Sequence, residues 1–283
     1  MAQEKNKETI SLNKDIYKKE FLKYGLQLGL FDMGNMFSIE ARLNEVDIVI
    51  NEDLDEYGKI IYDKGTPTIQ INVSRCLSDN KSLDEVIFHK LAHICNEIQR
   101  DIHVYGEHRI DRFKSDYLTY ALGNDYIADP DLGMKMLDEV ISEYTSRAMV
   151  YAKVVEADRC ILEPSSYADP KFVFFKPNEV YEKMFNLVDN FSKTIFKHND
   201  ALYHLCCAAY NETLVDNIMC KYRDRNFGMK ELYEILGGMG YVFKGLINKE
   251  KGIDPVGDEK AASRYVYAFN KINRVLESEG KEI

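Results

Sequence analysis

The chain has 283 residues, 45% of them apolar, and a formal charge of −10 that is spread along its length rather than gathered into a tail. That is enough length and apolar content for a substantial core, and the acidic balance argues against nucleic acid or an anionic membrane as the main partner. The polar N-terminus, Met1 to Lys7, lacks the apolar stretch of a signal peptide, and every long apolar run is broken by a charge short of the roughly 18 residues that a membrane span needs. A cytosolic protein is expected, or one exported without a cleavable signal. Cys76, Cys95, Cys160, Cys206, Cys207 and Cys220 include no C-x-x-C pair, and buried free thiols in a reducing compartment are the expectation.

In chain order, residues 46 to 74 read as extended. Val46, Ile48 and Ile50 alternate, followed by Ile60 and Tyr62 and then by Ile69, Ile71 and Val73, the period-2 pattern of a strand with one buried face. Asp63-Lys64-Gly65-Thr66-Pro67 supplies a turn, so 59 to 74 is expected to be a hairpin. Ser82-Leu83-Asp84-Glu85 is a capping box that opens a helix over 82 to 100. Gly123-Asn124-Asp125 and Asp129-Pro130-Asp131 read as acidic turns rather than calcium loops.

From about residue 134 the chain reads as helix. Val180, Met184, Leu187, Val188, Phe191 and Ile195 form a stripe at helical period, and further helices are expected over 200–223, 229–247 and 259–278. Breaks are expected near Pro164, Asp169-Pro170, Pro177, Gly237-Gly238 and Gly252 to Pro255, with the segment from Asp169 to Pro177 as the domain boundary. His198 and His204 are six residues apart, on opposite sides of any helix running through both, which disfavours a second metal site with Cys206 and Cys207.

Two helices carry the chemistry. On 82–100, Ile87, Leu91, Ile94, Cys95 and Ile98 form one apolar arc, and His89 and His93 lie together on the opposite side, away from the packed face. Two imidazoles at i and i+4 can close on one divalent ion. On the later helix the arc is Leu137, Val140, Ile141, Tyr144, Ala148, Tyr151 and Val155, with Glu143 and Arg147 at its margin. Glu143 can complete three protein ligands, with Arg147 orienting it. Equally, Glu139, Glu143 and Arg147 at i, i+4 and i+8 are the pattern of a surface ladder of ion pairs.

The strand Ile69–Val73, the helix with His89-x-x-x-His93 and the downstream Glu143-Tyr144-Thr145-Ser146-Arg147 together resemble the zincin metallopeptidases, in the gluzincin branch whose third ligand is a glutamate. The metzincin pattern is absent, with Asn96 and Gln99 where its glycine and third histidine would fall. The resemblance covers residues 59 to 155 and implies an α+β fold with a small twisted sheet plus metal-site helices; with the boundary at Asp169, the expected organisation is a domain over 1–168 and a mostly helical subdomain over 169–283 packed on it. It implies zinc held by His89, His93 and Glu143, support from Arg147, Glu139 and Glu97, and a substrate backbone lying along the strand with Gln70 and Asn72.

One position departs from that pattern. The zincin signature has its general base directly after the first histidine, and this chain has Lys90 there. A lysine charged near neutral pH cannot accept a proton, and losing a general base typically costs a factor of about 10² to 10⁴ in rate. Glu85 and Glu97 each lie about 6 Å along the helix from the nearer histidine, too far to replace it. Three readings follow: a zincin-fold pseudoenzyme that binds a protein or peptide around a retained or weak zinc site; an active zinc metallopeptidase, a hydrolase with another base; and a helical interaction protein without a metal.

Overall fold

The computed structural model describes residues 12–99, 130–157, 179–223, 228–250 and 274. Its architecture is α+β, with one three-stranded mixed sheet and a majority of helix. Two helices come first, α1 (Lys14–Gln27) and α2 (Met36–Glu45), then strands β1 (Asp47–Ile50), β2 (Gly58–Asp63) and β3 (Thr66–Ile71). Helices α3 (Val73–Ser78), α4 (Leu83–Cys95), α5 (Pro130–Ala157), α6 (Glu179–Phe196), α7 (Ala201–Tyr210), α8 (Leu214–Arg223) and α9 (Gly228–Glu250) follow. Among the described residues no helix is long and apolar enough to cross a membrane.

The expected hairpin is β2–β3. Lys64 and Gly65 both have positive φ, 49° and 94°, the two-residue turn whose twist matches that of the flanking strands. Strand β3 buries Pro67, Ile69 and Ile71 in alternation, as the period-2 pattern requires. The sheet order is β1-β3-β2, with β1 parallel and β2 antiparallel to β3.

This order corrects the expectation that the strand with Gln70 and Asn72 lies along a substrate. Strand β3 is central and its backbone is paired on both sides. Gln70 instead accepts from the Asn51 amide at 2.9 Å. Asn72 is not in the strand: it caps α3, accepting from Arg75 N at 2.8 Å and donating to Glu52 O and Leu54 O. Val73 is the first residue of that helix rather than the last of the strand.

Ser82 starts α4 as anticipated, accepting from Glu85 N at 3.4 Å. The glutamate does not complete the box: its carboxylate forms an ion pair with Lys81. Helix α4 lies between α1, α2 and the sheet on one side and α5 on the other, and it is buried nearly all round. Phe88 packs against Phe21 and Tyr24, and His89 and His93 are each only 8% exposed. The histidine face is therefore not an open one, as the wheel suggested. It packs on α5.

Helix α5 is the central element, with Leu137, Val140, Ile141 and Tyr144 in the core together with the polar Asp138, Ser142, Glu143, Thr145 and Ser146. Its most extensive helical neighbour is α9, which runs unbroken through Gly237-Gly238, contrary to the expected break. Just before that dipeptide, at Leu236, the helices touch backbone to backbone, since a Cβ on Gly133 of α5 would stand 2.2 Å from the Leu236 carbonyl oxygen. Gly133→Ala should therefore force the pair apart and cost about 1–3 kcal/mol, read as a lower midpoint in denaturant unfolding with an unchanged slope.

The span 200–223 holds two helices rather than one. Glu212, at φ 58°, ends α7 because tertiary contacts hold the turn: Arg42 ion-pairs with Glu212, and Asn211 accepts from Asp32 N and donates to Leu30 O. On α6 the predicted stripe is buried at Met184, Leu187, Val188 and Phe191. Cys76, Cys95 and Cys206 are buried free thiols, whereas Cys207 is half-buried and Cys220 exposed. The turn at 123–125, Cys160, the breaks at 164, 169–170, 177 and 252–255, and the helix over 259–278 lie outside the described residues, save Arg274, which is helical.

Candidate metal centre

Helices α4 and α5 cross with the two histidines facing three carboxylates. His89 Nε2 and His93 Nε2 are 3.0 Å apart, and the Glu139 carboxylate reaches both, with Oε1 3.6 Å from His89 Nε2 and Oε2 3.2 Å from His93 Nε2. Four-coordinate zinc with bonds of about 2.0–2.1 Å holds neighbouring donor atoms about 3.3 Å apart. The three separations bracket that value. The donor set, two neutral imidazoles and a carboxylate, suits a divalent transition ion such as zinc.

The other ring nitrogens face carboxylates as well. His93 Nδ1 lies 2.9 Å from Asp138 Oδ2, and His89 Nδ1 lies 3.0 Å from Glu143 Oε2. Carboxylates so placed favour the protonated Nδ1 and raise the basicity of the ring, although the contact at His89 Nδ1 lacks the geometry of a hydrogen bond. Asp138 is itself held in a fork, accepting from Asn96 Nδ2 at 2.7 Å and Gln99 Nε2 at 2.6 Å. Glu143 accepts from Arg147 Nε at 2.7 Å, the orienting role expected of that arginine. Tyr181 of α6 donates to Glu139 Oε1 at 3.0 Å, so the helical half contributes to the centre.

Residue by residue, the structure brings together His89, His93, Glu139, Glu143 and Arg147. Glu139, expected as a supporting group, stands between the two Nε2 atoms, and Glu143, expected as the third ligand, stands behind His89. Spacing alone does not separate two glutamates four residues apart on one helix face; their reach towards α4 does. Glu97 is elsewhere. Its buried carboxylate accepts from Leu214 N at 2.8 Å, at the N-terminal end of α8, where a negative charge is favoured. Lys90, half-buried, belongs to none of the ion pairs that Glu139 and Glu143 form among the described residues, which run to His89, His93 and Arg147. One residue along a helix turns the side chain about 100° away from His89.

Asp138, Asn96, Gln99 and Tyr181 were missed. The available signal was Asp138-Glu139 and Glu143 as three acids within six residues, interleaved with the apolar arc of Leu137, Val140, Ile141 and Tyr144.

The electrostatics follow from three carboxylates around two imidazoles with one arginine. Burial opposes charge on His93, but Asp138 and Glu139 outweigh it and raise its pKa to about 9. Burial likewise opposes charge on Glu143, and His89, Arg147 and Lys81 outweigh it, lowering that carboxyl to about 2. Glu139 is held well below its ordinary range, against the effect of burial, by the charge of His93 and by His89. The site is thus built to hold positive charge.

A pH dependence follows for the metal-free protein. His93, raised from 6.5 to about 9, contributes stability that is complete below pH 6.5 and lost as pH rises through 9. Glu143, lowered from 4.5 to about 2, contributes stability that is complete above pH 4.5 and lost as pH falls through 2. Calorimetry in chelator should place the melting maximum between about pH 4.5 and 6.5, with a decline towards pH 9. A melting temperature still rising between pH 7 and 9 would contradict this arrangement of charges.

Comparison with known proteins gives no match: no protein-family model fits the chain, and no curated protein or solved structure is similar to it.

Proposed function

We propose that this chain is a zincin-like protein with one buried divalent-metal site, zinc by donor type, whose peptidase activity is lost or much reduced and which acts by binding a protein or peptide. The observation that carries this reading is the convergence of His89 Nε2 and His93 Nε2, 3.0 Å apart, on the Glu139 carboxylate, whose Oε1 lies 3.6 Å from the first and Oε2 3.2 Å from the second. A surface ladder of ion pairs would leave Glu139 and Glu143 facing solvent, whereas both imidazoles and Glu143 are buried. Burial of Asp138, Glu143 and two imidazoles, with Glu139 partly buried beside them, is costly unless their charges are compensated.

In this reading His89, His93 and Glu139 hold the ion, Asp138 and Glu143 fix the two imidazole rings, and Arg147 and Tyr181 fix the glutamates. A bound ion supplies Lewis acidity. Hydrolysis also requires a group to accept a proton beside it, and Lys90 stands where the zincin pattern has that base. The chain's own groups therefore equip it for metal binding and leave proton transfer unprovided. An active metallopeptidase with a different base is the second reading, favoured by the absence of Lys90 from the ion pairs of the cluster, which leaves the donor triangle unobstructed.

The test is metal content. Full-length protein prepared without chelator should carry about one zinc per chain in elemental analysis, and His93→Ala prepared in parallel should lose it while keeping a native far-UV spectrum. Wild-type protein that takes up no zinc at the buried cluster would leave the helical interaction protein as the better reading.

A further inference from the structure

Sequence spacing sets His198 and His204 on opposite sides of a helix, but no helix runs through both. Helix α6 ends at Phe196. Lys197 then takes a left-handed conformation, φ 50°, and turns the chain back so that His198 faces the first turn of α7. Asp200 precedes that helix and His204 lies four residues further on, one turn along the same face. The two imidazoles meet edge to face, with ring centroids 5.0 Å apart and planes at 76°.

Asp200 sits between them. It occupies the N-cap position of α7 but makes no capping hydrogen bond with its side chain. Its Oδ1 is shielded from solvent and has no hydrogen-bond partner, while that atom contacts His198 Nδ1 and lies 3.3 Å from His204 Nε2. A capping residue ordinarily spends its oxygen on the amides of its helix. This one is turned away from them, towards two imidazole nitrogens. One donor atom from each of the three residues falls within 4.8 Å of the other two.

We propose that His198, Asp200 and His204 form a second site for a divalent transition metal, at the α6–α7 turn and sharing no residue with the buried centre. Two imidazoles and a carboxylate select zinc, copper or nickel over calcium and magnesium, which take oxygen ligands. Three protein donors leave further positions open on the solvent side. Phe196 lies tilted and Tyr203 edge-on against the His204 ring, at centroid distances of 6.1 and 5.6 Å, and they limit its rotation. The His198 side chain is 60% exposed and that of His204 40%, so ordering them opposes binding, and this site is the weaker of the two. When filled, it ties the end of α6 to the first turn of α7.

The experiment uses tag-free, full-length protein stripped of metal and titrated with zinc by calorimetry, with elemental analysis of the product. Wild type should bind two equivalents with separable affinities. His93→Ala should keep the weaker one. His204→Ala, or His198→Gln at the exposed turn position should the first variant fold poorly, should weaken that equivalent at least tenfold and leave the tighter one in place. The His198 and His204 ring nitrogen resonances should shift as it fills. Persistence of the weaker equivalent in both turn variants, or wild type binding no more zinc than His93→Ala removes, would overturn the proposal. Failure of the buried centre would look different, as loss of the tight equivalent alone.

Discussion

Glu139→Gln should abolish zinc binding at the buried centre, whereas Glu143→Gln should weaken it by about 10- to 100-fold, the usual cost of losing a group that orients a metal-bound histidine. The two glutamates sit one turn apart on α5 and both touch imidazoles, yet they touch different nitrogens. Glu139 reaches both Nε2 atoms, at 3.6 and 3.2 Å, and Glu143 reaches His89 Nδ1 at 3.0 Å. A glutamine at 139 keeps the length of the side chain but removes the anionic donor from the point where the two Nε2 atoms converge. At 143 a glutamine keeps a side chain of the same length against His89 Nδ1 and removes only its charge, so the donors at the metal position stay in place. Competition against a chelator of known affinity gives both values on one scale. The opposite ranking, with Glu143→Gln the more damaging, would return the third ligand to Glu143, where the spacing of the helix had put it.

How much of this was legible in the sequence differs from element to element. The β2–β3 hairpin was legible because Gly65 and the alternation of Ile69 and Ile71 are local signals, and the start of α4 was legible because Ser82 caps it. The His89 and His93 pair was visible from i, i+4 spacing alone. The order of strands was not, because nothing local says that β1 pairs parallel to β3 with β2 between them in the chain, and the alternation alone presents β3 as a strand with a free edge. Nor was the burial of the histidine face, since a wheel assigns one apolar side and α4 has neighbours on two. The roles of Glu139 and Glu143 depend on how α5 crosses α4, and the fork that holds Asp138 depends on the bend at Asn96, where α4 stops. The helix through Gly237-Gly238 shows the same limit: a dipeptide that breaks an isolated helix here continues one that packs on α5, with the backbone of the neighbouring Leu236 against Gly133. His198 and His204 make the converse case, brought together by the left-handed Lys197 that ends α6.

Lys90→Glu should raise zinc-dependent cleavage of an unfolded or generic peptide by roughly 10² to 10⁴ over the chain as it stands, the range a general base contributes. The substitution removes a cation one residue from His89 and supplies a carboxylate at the position from which the zincin pattern takes its base. Lys90 has no ion pair with Glu139 or Glu143, whose charges are met by His89, His93 and Arg147. Its removal therefore leaves no buried carboxylate uncompensated, and the variant should fold with the same zinc stoichiometry. That separation makes the assay informative: activity changes while metal content does not. His93→Ala in the Lys90→Glu background should abolish the cleavage together with the tighter zinc equivalent, which ties any new cleavage to the buried centre rather than to a contaminating protease. Equal zinc-dependent rates for the Lys90 and glutamate forms would sink the binding-protein reading and promote the active peptidase. A glutamate form with a full complement of zinc and no cleavage would instead mean that the donor triangle serves a metal site without the geometry for hydrolysis.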